Sequence, residues 1–199
     1  ARITYDAGRG YQLWAFGQAT LAHQGGLLRN NRTGVGASAD LSDRLSAAAE
    51  ISDGNLGFGA DASLRWRGDK GSSWVSYQMD PMRRFDRSDF AGRDRGVWTV
   101  GVERQLGDAV TLRTEQTLDQ FGTSHTREVT HGLRYANAGW QVDGTLTNGQ
   151  LDDPDGGDIR RKGVSIGAEF SDGDALKAGL RGEFRQDDGK DDARDRASW

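Results

Sequence analysis

The sequence predicts an all-β fold: an antiparallel up-and-down meander of about twelve strands that forms a membrane-spanning β-barrel or most of one. Three observations carry that expectation. Side-chain polarity alternates with a period of two, the connections alternate between short and long, and the composition is too poor in apolar residues for an oily core. Residues 57–67 show the alternation best, with Phe58, Ala60, Ala62, Leu64 and Trp66 interleaved by Gly57, Gly59, Asp61, Ser63, Arg65 and Arg67. Successive side chains of a strand point to opposite faces, so this segment has one apolar face and one that is small, polar or charged.

The pattern recurs along the chain. Val35, Ala37, Ala39 and Leu41 alternate with small or polar residues, as do Leu45, Ala47, Ala49 and Ile51, then Val164, Ile166, Ala168 and Phe170, and finally Leu176, Ala178, Leu180 and Phe184. Helical spacing fits none of these runs. Strands are expected near 2–6, 11–22, 33–41, 44–52, 57–67, 73–80, 97–106, 109–119, 127–135, 140–148, 162–171 and 175–186. Between them, 6–10, 42–43, 68–72, 107–108, 136–139 and 171–174 are short connections. Segments 24–32, 80–95, 121–126 and 150–162 are long and polar, with 52–55 a brief exception. A meander puts successive connections at opposite ends, so one rim has tight turns and the other has loops.

Composition narrows the class further. The 199 residues include 29 Gly, 2 Pro and no Cys, and only 35% are hydrophobic, which leaves little to fill a soluble interior. The absence of cysteine removes disulfides, thiolate metal sites and cysteine nucleophiles. A net charge of −4, from 26 basic and 30 acidic residues spread along the chain, supplies no basic stripe for nucleic acid. No apolar run is long enough for a transmembrane helix. No linker or shift in texture divides the chain, and residues 1–199 read as one barrel domain. Segment 187–198 reads as a loop leading to a further strand and 2–6 as a short first strand, so the barrel is expected to be incomplete at the C-terminal end and, by the same sign, at the N-terminal end.

The charged residues segregate opposite the apolar stripe. Glu50, Asp61, Arg65, Arg113, Glu115, Arg134, Asp143, Glu169, Lys177, Arg181 and Glu183 are the expected lining of a wet lumen, because a Lys or Arg facing lipid at mid-depth costs roughly 2–4 kcal/mol. Trp66, Trp74, Tyr135, Trp140 and Phe170 lie beside short turns and are expected as membrane-interface aromatics. His131, between Val129 and Leu133, breaks the apolar face. Trp14 and Phe16 break the polar one, which suggests a bulge or a packed neighbour.

Chemistry-bearing motifs are sparse. His23, His125 and His131 have no metal-ligand spacing, so neither a metal nor any cofactor is expected. Ser124, His125 and Asp119 compose a triad only on paper, without an oxyanion-hole motif, and the chain is expected to be no enzyme. The acidic segments 152–158 and 187–192 read as solvated loops, with Ca²⁺ coordination as the alternative. In 80–95, five arginines among four aspartates form a self-neutralising loop or one that meets anionic lipid phosphates.

With these dyad segments, 57–67 and 163–170 above all, the chain resembles the β-barrels of Gram-negative outer-membrane proteins, both autotransporter translocators and porin-like channels, over nearly its whole length. The resemblance implies residence in the bacterial outer membrane, with lipid and lipopolysaccharide as neighbours, and insertion by the barrel-assembly machinery. Barrels of these families end on an amphipathic strand with a terminal aromatic, whereas Trp199 here follows a polar stretch. Two roles stay open: a passive pore with a charged lumen, and an anchor or translocator carrying covalently attached domains of a longer chain. The alternative class is a soluble β-structural or adhesive module.

Overall fold

The computed structural model describes residues 1–21, 29, 31–79, 96–119, 125–152, 157–173, 176–189 and 194–198. They form a single sheet of thirteen antiparallel strands in strict sequence order. These are β1 (Arg2–Gly8), β2 (Tyr11–Gln18), β3 (Arg32–Ser42), β4 (Leu45–Gly54), β5 (Gly59–Gly68), β6 (Gly71–Met79), β7 (Val97–Leu106), β8 (Val110–Asp119), β9 (His125–Asn137), β10 (Trp140–Asp152), β11 (Ile159–Asp172), β12 (Leu176–Gly189) and β13 (Arg194–Ser198). The twelve expected strands are all present, and a thirteenth lies inside the segment read as a loop.

Two differences in length have one physical cause. β9 to β12 run on past their expected ends toward the loop rim, and β13 pairs with β12 from Glu183 to Asp187. There the outward residues Gln150, Asp152, Arg160 and Asp188 are polar, so the alternation that marks a strand at the lipid boundary disappears while backbone pairing continues. β2, by contrast, ends at Gln18, short of the expected boundary at 22.

The turns fit the hairpins they close. Arg9 and Gly10 have φ of 54° and 77°, and Ala138 and Gly139 have 48° and 84°. Positive φ at both central residues defines the two-residue turn whose twist matches that of the flanking strands. All six hairpins at this rim are short. The remaining connections lie at the other rim, and residues 22–28, 80–95, 120–124, 153–156 and 190–193, where the long loops were expected, fall outside the described residues.

Register aligns the alternation across every strand pair. Val35 faces Ile51, Ala49 faces Ala62, Leu64 faces Val75 and Val75 faces Val100. On the other half of the sheet, Leu112 faces Leu133, Leu146 faces Val164 and Val164 faces Phe184. One face of the sheet is therefore a continuous apolar band. Followed along cross-strand rows, the band shifts toward the loop rim from β11, where it covers Phe170 to Val164, to β5, where it covers Trp66 to Ala60. Tilted strands produce this stagger, and closing a sheet into a barrel requires such a tilt.

The apolar face is the exposed one. Ile3 is 76% and Leu180 77% exposed, and no described apolar residue is buried. The buried described polar residues, Ser52, Asp119, Thr126 and Ser165, all stand on the opposite face, whose side chains crowd as they would inside a curved wall. A sheet with its apolar side outward and no dry core is stable in lipid and not in water. β1 and β13 run in the same direction, and no pairing between them occurs among the described residues.

Matched substitutions on one strand test the two faces. Ala62→Arg, on the apolar face near mid-strand, is expected to destabilise the folded chain in bilayers by roughly 2–4 kcal/mol, whereas Ser63→Arg costs less than about 1 kcal/mol. Urea unfolding in vesicles followed by tryptophan fluorescence measures both. Equal losses would contradict the assignment of faces.

Candidate functional site: the polar face

All eleven charged residues expected to line a lumen stand on the polar face, brought into rows by the register. Glu50 faces Asp61, Arg134 faces Asp143, Arg181 faces Gly167 and Lys177 faces Ser171. Glu169 and Glu183 lie in the same alternation on β11 and β12, facing Gly179 and Ser165. The eleven do not converge on one point. They distribute into local clusters with different partners.

The first cluster is built on Trp74. Expected at the membrane interface, Trp74 instead belongs to the polar face, and that expectation is corrected. It faces Arg65 on β5 and Gly101 on β7, while it is Ser73 that faces Trp66 across the hairpin. The Arg65 and Arg113 guanidinium carbons lie 5.7 Å and 4.9 Å from the Trp74 ring. Arg113 Nη2 also donates to Glu115 Oε2 at 2.7 Å. The ring lies over Gly101, where an added Cβ would collide with the Trp74 indole. The glycine leaves room for the tryptophan, and the tryptophan holds two arginines through its π-face, each contact contributing about 0.5–1 kcal/mol.

A parallel arrangement accounts for Trp14 and Phe16. β2 pairs with β3 without a bulge, and the two rings lie over Gly36 and Gly34 of the neighbouring strand. Trp14 Nε1 donates to Glu50 Oε2 at 2.7 Å, and the Arg2 guanidinium sits 4.6 Å from the Trp14 ring. Arg32 lies 5.9 Å from the Phe16 ring and donates to Ser52 Oγ. The inward rings thus pack on the wall itself.

Sequence reasoning missed the third cluster. Arg161 on β11 holds Asp187 on β12 through both carboxylate oxygens, at 2.8 Å and 3.0 Å, and Arg185 Nε approaches the same carboxylate at 3.7 Å. Arg185 lies inside the expected strand 175–186, and continuing the alternation beyond 162 and 186 would have placed Arg161 and Asp187 beside it on the polar face. Between the clusters the wall is lined by small residues: Ser38 faces Ala48, Ala48 faces Ser63, Ser63 faces Ser76 and Ser76 faces Thr99. Ser38, Ala48, Ser63 and Ser76 floor a recess of about 700 Å³ whose sides include Gln12, Asp40, Arg65 and Trp74.

On the apolar face, Trp66, Tyr135, Trp140 and Phe170 lie near the short-turn rim, with the Trp140 and Phe170 rings 4.9 Å apart. A second aromatic pair, Tyr77 and Trp98 at 5.0 Å, lies toward the loop rim. Between Trp98 and Leu106 the strand covers about 27 Å, close to the height of an outward apolar band once tilted. His131 keeps its place within the band, and its Nδ1 is 3.1 Å from Thr114 Oγ1, which satisfies one ring nitrogen. Asp119 and His125 lie on opposite faces, and Ser124 and His23 lie outside the described residues, so the triad drawn from the sequence is not assembled.

These features define a class. Short turns at one rim and mostly longer connections at the other, an outward apolar band with aromatics toward both limits and a polar inner face are those of the transmembrane β-barrels of the bacterial outer membrane. No protein-family model and no curated protein matches the chain. Among solved structures it is similar to OmpT of Vibrio cholerae expressed in the outer membrane, at 14% identity with a TM-score of 0.47, over 98% of this chain and 81% of that one. It is also similar to a loop L8 deletion mutant of OmpT, an outer membrane protein of Vibrio cholerae, at 13% identity and a TM-score of 0.47, over 98% and 84%. At this level the class stands on the two faces and the register, and no role passes from OmpT to this chain. The expectation that the chain is no enzyme is corrected here. Its structural neighbours are proteins named OmpT, and a fold shared at 13% identity neither supplies nor excludes catalysis, so the chain is not classed as a non-enzyme.

The aromatic-on-glycine packing is directly testable. Gly101→Val is expected to displace Trp74 and destabilise the chain by about 1–3 kcal/mol, as overpacking does. In Gly101→Val/Trp74→Ala most of that extra loss should disappear. Unfolding midpoints of the two single variants and the double variant measure the coupling, and strict additivity would contradict the contact.

Proposed function

We propose that the chain forms the wall of a passive outer-membrane pore whose lumen conducts ions and small polar solutes with weak charge selectivity. The observation that carries this reading is the inner face itself: cations and anions interleave along the rows, held in place by tryptophans and carboxylates, around a floor of serines and alanine that leaves open volume. Arg65 and Arg113 stand within a few residues of Glu115, Glu50 and Asp61, so neither sign dominates. A face of this kind is too polar to pack as a dry interior and is suited to water. Its apolar counterpart speaks against the soluble module, since nothing covers it among the described residues.

Conduction requires closure, because an open sheet edge in hydrocarbon leaves its backbone groups unpaired. Closure joins β1 and β13 directly, in parallel, or through another strand between them. The protein reconstituted in planar bilayers is expected to give ohmic single-channel currents. Arg65→Glu/Arg113→Glu should move the reversal potential in a salt gradient toward cation preference. Protein that is demonstrably folded and inserted yet carries no current would overturn the pore in favour of an anchoring role.

A further inference from the structure

We propose that the recess on the inner wall between β2 and β6 is a binding subsite for a neutral sugar, held between Asp40 and Arg65 above the hydroxyls of Ser46, Ser63 and Ser76. The inference rests on the pore reading above and names a class of solute for it. Two cross-strand rows build the recess. In one, Asp40 faces Ser46, Ser46 faces Arg65 and Arg65 faces Trp74. In the next, one step further from the short turns, the row runs from Gln12 through Ser38, Ala48 and Ser63 to Ser76. The carboxylate and the guanidinium therefore stand on backbones two interstrand spacings apart, about 10 Å, with Ser46 between them in the row. Gly10 makes room at one end, since a Cβ there would collide with the Asp40 side chain. Trp74 holds Arg65 at the other, with the guanidinium carbon 5.7 Å from its ring. The open space of about 700 Å³ is in the size range of small-molecule sites.

The hydrogen-bonding groups of this recess are unspent. Asp40, Ser46, Ser63, Arg65 and Ser76 enter no side-chain hydrogen bond or ion pair among the described residues. The other half of the wall behaves differently. There Thr130 faces Thr147 and their hydroxyls meet at 3.2 Å, and Thr145 faces Ser165 with theirs at 2.7 Å. Ser63 faces Ser76 in the same way without such a bond. The three serines are half-buried, so each hydroxyl takes its partner from water or from a solute. A sugar hydroxyl donates and accepts. It therefore matches an array made of an acceptor-only carboxylate, a donor-only guanidinium and hydroxyls that do either, and it reproduces the bonds of the water it displaces. Charge points the same way: Asp6 and Asp40 offset Arg9 and Arg65 around the recess, which leaves no net charge to select an ion. An amino-acid zwitterion would engage Asp40 and Arg65 but leave the row of serines unused.

The test measures single-channel current of the reconstituted protein as sucrose is added, against a poly(ethylene glycol) of the same hydrodynamic size, which lacks the array of hydroxyls. Sucrose is expected to reduce the current saturably, and the polymer only in proportion to the conductivity of the bulk solution. Asp40→Ala/Arg65→Ala, which leaves the net charge unchanged, and Ser63→Ala/Ser76→Ala are each expected to raise the half-blocking sucrose concentration at least about fivefold, the loss of roughly one or two hydrogen bonds. Thr145→Ala/Ser165→Ala removes hydroxyls that already satisfy each other and should leave that concentration within about twofold. Sucrose and polymer acting alike, site variants that block like the wild type, equal loss in all three variants, or stronger block by glycine than by sucrose would overturn the subsite. Folded and inserted protein without current would overturn the pore reading instead. Saturation-transfer NMR of sucrose with the wild type and the two site variants in micelles then decides the subsite alone: transfer lost in both variants supports it, and equal transfer in all three overturns it.

Discussion

In hydrocarbon there is no water to satisfy a backbone amide, so each peptide group at that depth must find its partner within the sheet. This constraint organises the rest of the structure. It selects a continuous antiparallel ladder in sequence order, and the ladder then imposes a period of two on every side chain. Once register is set, a one-residue slip would turn Leu64 inward and Arg65 into lipid, so the polarity pattern and the hydrogen-bond pattern specify each other. With no apolar residue buried among those described, the chain gains its stability by presenting the apolar face to a solvent that accepts it.

The inner wall solves a different problem. Large side chains on a concave surface compete for space, and here the space comes from glycine on the adjacent strand. Trp74 over Gly101 and Trp14 over Gly36 fill the gap left by a missing side chain and cover backbone that would otherwise be bare. Each ring then meets an arginine or a carboxylate from another strand. Packing and electrostatics are coupled in these places, because moving the ring would also release the charges that line the wall.

Much of this was legible in the sequence, for a reason that also sets its limit. Alternation marks a strand where one face meets lipid and the other water, which is why 57–67, 163–170 and the eleven charged positions were readable from residue types alone. Where β9 to β12 rise past the lipid, the outward alternation fades, so Arg161, Asp187 and all of β13 were missed, while Arg185 lay inside the expected strand 175–186. Trp74 was assigned to the wrong face by its nearness to a turn. Parity gives the better answer, since Trp74 continues the polar alternation of Ser72 and Ser76. Tyr77 and Trp98 meet across β6 and β7 but are separated in sequence by a long connection, and only the register brings them together.

The central claim is that alternate residues of a strand meet lipid and water. Because the chain has no native cysteine, single cysteines placed one at a time at residues 59–68 can carry spin labels without background. Collision with oxygen, which concentrates in the bilayer, against collision with a water-soluble nickel chelate then reports each site. The account predicts a period of two, with oxygen maxima at 60, 62, 64 and 66 and nickel maxima at 61, 63 and 65. A period near 3.6, or uniform access to the chelate along the strand, would contradict it.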